Sequence, residues 1–194
     1  MLVSKQNTVC FKPFFLSLSF HLFILSLFIS SFTLSFFPHS LKRIEQYSPL
    51  TSTCSTVGEA EPRAIASGLV PHYSLEEMLG ARVIVICNLP PRKLVGFKSH
   101  GMVLCAVQEL EEGKEVVEFL KPPEKALPGD RISVENGFEK EPLSAKQCEK
   151  QDAWKILSPF LHVKEGVGYW GESKLVGVNG GECRSSRVGN GLLR

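Results

Sequence analysis

The sequence predicts a mainly β protein, organised as a small antiparallel barrel. Two observations lead to this prediction: several short runs of β-branched and apolar residues, and turn-forming Gly and Pro residues between them. Helix signals are confined to two short segments of the chain outside its N-terminal part. The 194 residues, 43% of them hydrophobic, suit one domain with an appendage and exclude a wholly disordered chain.

The N-terminal 44 residues differ from the remainder of the chain. They contain no Asp or Glu, and Phe14 to Phe37 is a run of 24 residues without a formal charge. A helix of that length, rising about 1.5 Å per residue, would cross a bilayer core of about 30 Å. Residues 1–44 are therefore predicted to be a hydrophobic N-terminal helix and a candidate membrane anchor. An organellar targeting stretch and an altered N-terminus remain as alternatives.

Strands are predicted after a Ser/Thr-rich linker over residues 45–56. In chain order, the strand candidates are Arg63–Val70, Arg82–Leu89, Gly101–Val107, Val116–Leu120 and Arg131–Val134. The second candidate gives the strongest signal, because its β-branched run ends at a Pro-Pro pair. A Pro-Gly-Asp turn is expected to deliver the chain to the last strand of this set.

Two capping boxes predict the short helices. Ser74 is followed three residues later by Glu77, which predicts a helix that ends near Gly80. Ser144 with Gln147 predicts a second helix, which ends before Pro159.

The cysteines argue against a metal site. Structural zinc sites need pairs of ligands two or three residues apart, and none of the six cysteines is so close to another. Cys87 and Cys105 lie in apolar runs, which favours buried free thiols over the alternative of a disulfide. No metal and no other cofactor is predicted. The five histidines are scattered, so no catalytic residue is predicted either.

Positive charge is concentrated in one window of a nearly neutral region. No acidic residue lies between Glu77 and Glu109, and a run of glutamates follows the window. Phosphate binding depends on local positive potential and not on the average charge. A solvated loop is the alternative when the charges are considered alone. The cations of the window are Arg82, Arg92, Lys93 and Lys98.

Three motifs occur in order along residues 67–132. They are SGLV followed by LEEM, CNL-x-P-x-K followed by S-x-GMVL, and PP-x4-PGDR. Together they resemble the tRNA-binding domain of the endothelial-monocyte-activating polypeptide family, which also occurs at the C-terminus of many methionyl-tRNA synthetases. The resemblance implies an OB-fold (oligonucleotide-binding barrel), N-terminally truncated and so incomplete, because two opening strands of the family have no counterpart here. It divides the chain into a partial OB-fold tRNA-binding domain (57–136) and a C-terminal extension (137–194).

The resemblance implies a non-enzymatic tRNA-binding module, accessory to an aminoacyl-tRNA synthetase or to translation, in the cytoplasm or an organelle. The Arg and Lys side chains are expected to pair with phosphates, and Asn88 and Ser99 to bond ribose or base edges. The tRNA-binding residues implied in this way are Arg82, Asn88, Arg92, Lys93, Lys98, Ser99 and Met102.

Structural roles compete with binding roles at several of these positions. Asn88 and Ser99 could serve as turn residues, and Met102 could pack in the core. For Trp154, Tyr169 and Trp170, packing is favoured over stacking on bases. The alternative function is a membrane-tethered protein-interaction module, which would dock a synthetase or another subunit without binding RNA. Its membrane contact would be made by Phe14 to Phe37.

Overall fold

The computed structural model describes residues 32–36, 46–47, 50–55, 57–137 and 141–194. Within these ranges the chain is mainly β, as predicted, with three short helices. The strands are β1 (Phe32–Phe36), β2 (Gln46–Tyr47), β3 (Leu50–Ser55), β4 (Arg63–Ser67), β5 (Arg82–Ile86), β6 (Arg92–Leu94), β7 (Phe97–Ser99), β8 (Met102–Val103), β9 (Cys105–Glu109), β10 (Glu115–Phe119), β11 (Arg131–Val134), β12 (Leu161–Lys164), β13 (Val167–Trp170), β14 (Ser173–Gly177) and β15 (Gly191–Leu193). The helices are α1 (Leu75–Met78), α2 (Ala145–Lys150) and α3 (Ala153–Leu157).

The strands of the described ranges pair antiparallel in three sheets. The largest sheet has ten strands in the order β10-β9-β15-β12-β13-β14-β11-β1-β5-β8. The second sheet has the order β2-β3-β4, and the third is the β6-β7 hairpin. The ten-stranded sheet contains strands from both of the predicted segments 57–136 and 137–194. That division of the chain into domains stays a prediction.

Strand β1 lies inside the run that was predicted to be a membrane-spanning helix. Phe32–Phe36 pair along their full length with β5, and the first two of these residues also pair with β11. The helix prediction is wrong for these five residues, and residues 14–31 and 37 lie outside the described ranges. Ser and Thr alternate with Phe and Leu here, which is the period of a strand. None of the helices that the structure describes is long and apolar enough to span a bilayer.

Strand β3 lies within the segment predicted to be a linker. It pairs with β4 from Thr51 opposite Ser67 to Ser55 opposite Arg63. β-branched Thr favours strands as well as surface loops, so the Ser/Thr-rich composition did not discriminate between them. Strands β1, β2 and β3 therefore precede β4 in the chain, where the sequence predicted no strand.

Strand β5 separates two hydrophobic cores. Ile84 and Ile86 pack in a core that includes the C-terminal elements, whereas Val83 and Val85 pack in a second core with Ile65. All four β5 side chains are 0% exposed. A strand buried on both faces needs a continuous apolar run, which is the pattern that made β5 the strongest strand prediction. Each of these side chains contributes about 1.5–3 kcal/mol by burial.

Both predicted capping boxes are present. The amide of Glu77 donates to Ser74 Oγ, and the amide of Ser74 donates to Glu77 Oε2. Ser144 and Gln147 form the same reciprocal pair at the start of α2. The second predicted helix is interrupted at Asp152, which has a left-handed φ of 47°, so that α2 and α3 are separate.

Cys87, Cys105, Cys148 and Cys183 are free thiols. Burial raises the pKa of Cys105 to about 12 and that of Cys148 to about 11. These two thiols are therefore neutral at physiological pH, and they pack as small apolar side chains. The prediction of a buried free thiol is confirmed for Cys105, whereas Cys87 is a free thiol that is only partly buried.

Candidate nucleic-acid interface

The β6-β7 hairpin carries three of the four cations in the predicted basic window. Its register places Arg92 opposite Ser99 and Lys93 opposite Lys98. The two-residue loop is Val95-Gly96, with φ of 45° and 84°, and two positive φ values are typical of a type I′ turn. Because side chains alternate along a strand, Arg92 and Lys93 lie on opposite faces of this short ribbon.

The cations of the hairpin are exposed to solvent. Lys93 and Lys98 are direct cross-strand partners, so their ammonium groups share one face of the hairpin. Among the residues that the structure describes, no carboxylate lies within 4.0 Å of Arg92, Lys93 or Lys98. The hairpin therefore presents positive charge that the described part of the chain leaves unpaired.

The glutamates that follow the window have other partners. Glu112 pairs with Lys114 at 3.1 Å, and Glu115 pairs with Arg194. Glu118 is buried and accepts hydrogen bonds from the loop that precedes β15. The acidic run does not neutralise the hairpin, although the two segments are close in sequence.

Ser99 anchors the hairpin to the body of the domain. Its buried Oγ accepts from the amide of Ala66 at 3.0 Å and donates to the carbonyl of Gly101 at 2.9 Å. A Cβ at Gly101 would lie 3.1 Å from Val85 Cγ1, so a glycine allows the close approach of this segment to β5. Both hydrogen-bonding functions of the Ser99 hydroxyl are thus used within the protein.

A groove with a volume of about 560 Å³ runs between the hairpin and helices α2 and α3. Its hairpin side includes Arg92, Leu94 and Ser99, and Met102 contributes beside them. The opposite wall is formed by side chains of the C-terminal segment. The residues of that wall are Cys148, Glu149, Asp152, Trp154 and Lys155. The structure therefore brings three of the predicted residues, Arg92, Ser99 and Met102, to one groove.

The other predicted residues lie elsewhere. Lys93 and Lys98 occupy the hairpin face that points away from the groove. Asn88 is buried and donates through Nδ2 to the Leu143 carbonyl at 3.0 Å and to Cys148 Sγ at 3.2 Å. The guanidinium of Arg82 donates to three backbone carbonyls of residues 123–126 at 2.7–2.9 Å.

Comparison with known proteins shows that the part of the chain that contains the hairpin resembles a known family. The family model described as "Putative tRNA binding domain" matches residues 39–131. These residues are therefore similar to that family. The family resemblance that the sequence motifs indicated is confirmed, and the matched range includes the hairpin and strand β5.

Two curated relatives are similar over most of this chain. Aminoacyl tRNA synthase complex-interacting multifunctional protein 1 of Mus musculus is 38% identical over 139 residues, which are 71% of this chain and 43% of that protein. The tRNA-aminoacylation cofactor arc1 of Schizosaccharomyces pombe is 40% identical over 145 residues, 70% of this chain and 31% of its own length. The chain thus spans less than half the length of either relative.

One solved structure is similar across both the family domain and the C-terminal segment. The C-terminal domain of Plasmodium vivax p43 superposes with a TM-score of 0.71 and 28% identity, and the alignment covers 86% of this chain and 98% of that one. The fold of the aligned residues is therefore shared with that protein.

Sequence reasoning missed one wall of the groove. Trp154, Lys155 and the two nearby carboxylates lie beyond residue 131, where the match to the tRNA-binding family ends. About 60 residues separate the two walls, and no spacing along the chain shows that they meet. The one feature of the sequence that could have indicated this wall is Trp154 itself, a large aromatic residue in a short helix.

Proposed function

We propose that this chain is a non-enzymatic tRNA-binding module, accessory to an aminoacyl-tRNA synthetase. The match to the tRNA-binding family supports tRNA as the ligand. One relative is named for interaction with an aminoacyl tRNA synthase complex and the other as a cofactor of tRNA aminoacylation, which supports the partner. The groove offers cations and an aromatic ring, and its cysteine has a pKa raised by burial to about 11, which does not suit a nucleophile.

We further propose that the sheet around β5 is an oligonucleotide-binding barrel. At Leu104 the chain passes from pairing with β5 to pairing with β10: its amide donates to the Ile84 carbonyl, and its carbonyl accepts from the Leu120 amide. Such a change of partner within one strand turns a corner in a curved sheet. Strand β1 between β5 and β11 supports the same architecture.

The observation that carries the proposed function is the pairing of Lys93 with Lys98. Like charges directly opposite each other destabilise an antiparallel pair, and no carboxylate in the described ranges offsets them. A polyanion relieves this repulsion, and its binding releases counterions. On the other face, the planar guanidinium of Arg92 can pair with two phosphate oxygens. With cations on both faces, the ribbon suits a ligand whose phosphates surround it, such as a folded RNA.

The remaining predicted residues receive supporting roles in this proposal. Ser99 holds the hairpin against β4, and Asn88 holds the start of α2 against the domain through its bonds to Leu143 and Cys148. Met102 forms part of the groove surface, and Arg82 fixes the chain before β11.

The test is binding of the full chain to bulk tRNA at low and moderate salt. Three phosphate contacts predict that affinity falls about 20- to 40-fold between 50 and 200 mM salt. The double variant Arg92→Glu/Lys93→Glu should bind far more weakly, because two attractive contacts become repulsive. The matched control is Lys125→Glu/Lys164→Glu, which changes the net charge equally at exposed positions outside the hairpin and the groove.

Three outcomes would contradict the proposal. They are no binding at 50 mM salt, an affinity that does not change with salt, and equal losses in the hairpin variant and the control. Thermal unfolding of each variant should match the unmodified chain, because the substituted side chains are exposed.

A further inference from the structure

The groove contains an aromatic ring and charged side chains that phosphate binding by the hairpin does not use. Trp154 is half-buried: it packs against the hydrophobic core and also lines the groove. The other tryptophan of the chain, Trp170, is buried and donates through Nε1 to the carbonyl of Leu157 at 3.3 Å. Trp154 is therefore the tryptophan that a ligand in the groove can reach.

The groove surface around Trp154 is largely apolar. Leu89, Pro90, Leu94 and Met102 contribute to it together with the indole. Its volume of about 560 Å³ falls within the range of about 300–1,000 Å³ that small-ligand sites have. A flat, uncharged group can bind against this apolar surface with a small free-energy cost of desolvation.

Charge is distributed unevenly across the groove. Arg92 lies on the hairpin side, whereas the helix side has two carboxylates, Glu149 and Asp152, and one ammonium group, that of Lys155. Neither carboxylate has a hydrogen-bond or ion-pair partner within the described part of the chain. These carboxylates repel a phosphate, but they can accept hydrogen bonds from the N–H groups of a nucleobase. The net charge of each wall therefore favours a nucleotide with its base toward α2 and α3 and its phosphate toward Arg92.

We propose that the groove takes up the base of one unpaired nucleotide, which stacks on the indole of Trp154 while an adjacent phosphate lies against Arg92. This inference rests on the proposed function and names the kind of RNA segment that the site takes: single-stranded nucleotides and not a duplex. Stacking on an aromatic ring tolerates different bases, because every base has a π face.

The test compares two probes on the full chain. One is a 12-nucleotide oligocytidylate, and the other is a 12-unit abasic phosphodiester with the same charge. Oligocytidylate should quench the tryptophan fluorescence, and the abasic probe should leave it unchanged. Quenching by both probes, or by neither, would contradict the proposed base site. This comparison uses the unmodified chain alone.

Variants of Trp154 give a second, independent readout. Trp154→Leu keeps apolar packing but removes the ring, and it should weaken oligocytidylate binding about 5- to 150-fold, the effect of losing one stacked base. Trp154→Phe should retain most of the affinity, and both variants should bind the abasic probe as the unmodified chain does. Equal oligocytidylate affinity of Trp154→Leu and the unmodified chain, with matching thermal unfolding, would refute the stacking.

The failures of the two proposals are distinguishable. If bulk tRNA does not bind at low salt, the proposed function itself is wrong. If tRNA binds with the expected salt dependence but oligocytidylate affinity and fluorescence do not depend on Trp154, only the base site is wrong.

Discussion

Glu118 is a buried carboxylate that joins β10 to the loop before β15, and its substitution should weaken the fold in a pH-dependent way. The carboxylate is 3% exposed and accepts from Ser185 Oγ, from the amide and hydroxyl of Ser186 at 2.9 and 2.6 Å, and from the Arg187 amide at 2.6 Å. Burial by itself raises its pKa, but these hydrogen bonds outweigh burial and lower the pKa from 4.5 to about 2.

The sign of the pH effect follows from this lowered pKa. The ionised form of Glu118 is stabilised by folding, so its contribution is fully present above the unfolded pKa and is lost as the pH falls through about 2. The shift corresponds to about 3 kcal/mol at pH 7. Glu118→Gln keeps the shape but places an amide N–H₂ group among hydrogen-bond donors, so it should lose about this much at pH 7.

The assay is urea unfolding followed by circular dichroism at pH 7 and at pH 2. The free energy of unfolding of Glu118→Gln should be about 3 kcal/mol below that of the unmodified chain at pH 7, and within about 1 kcal/mol of it at pH 2. Glu111→Gln, at an exposed glutamate, is the control and should change little at either pH. An equal decrease in the free energy of unfolding of Glu118→Gln at both pH values would refute the reasoning. The decrease would then come from the altered shape of the side chain and not from the loss of its charge.

Two further predictions concern the hairpin and the first strand. Val95 is a β-branched residue with a φ of 45°, a backbone conformation that costs about 1–2 kcal/mol for such a residue. Asn adopts this conformation more readily, so Val95→Asn should raise the melting temperature of the chain. An unchanged or lower melting temperature would contradict the strain at Val95. Leu34→Pro removes a backbone hydrogen-bond donor from β1, which pairs with β5 and β11. This substitution should lower the free energy of unfolding by about 3 kcal/mol or more. Unchanged urea unfolding would contradict the pairing of β1.

Local signals predicted the parts of the fold that depend on neighbouring residues. Arg131–Val134 is a strand with the predicted bounds, and both capping boxes close as their three-residue spacing indicated. The run in β5 was recognised because a strand buried on both faces needs no polar positions. The exposed hairpin cations could also be expected, since no acidic residue is near them in sequence.

Features that depend on distant partners were not predicted. The length of the apolar N-terminal run predicts a helix, whereas its alternating Ser and Thr match the strand β1 that the structure contains. The predicted strand Gly101–Val107 is divided into β8 and β9, because Leu104 changes partners from β5 to β10. The groove depends on contacts such as that of Asn88 with Cys148, which are 60 residues apart.

The most direct test of the account is the salt dependence of tRNA binding after the hairpin charges are removed. The logarithm of the affinity of the full chain is plotted against the logarithm of salt concentration, for the unmodified chain and for Arg92→Gln/Lys93→Gln/Lys98→Gln. If these three side chains contact phosphates, the variant should have a slope shallower by about 2–3, or about 0.7–0.9 for each contact. A variant that binds more weakly with an unchanged slope, or that binds equally well, would show that the hairpin does not hold the RNA.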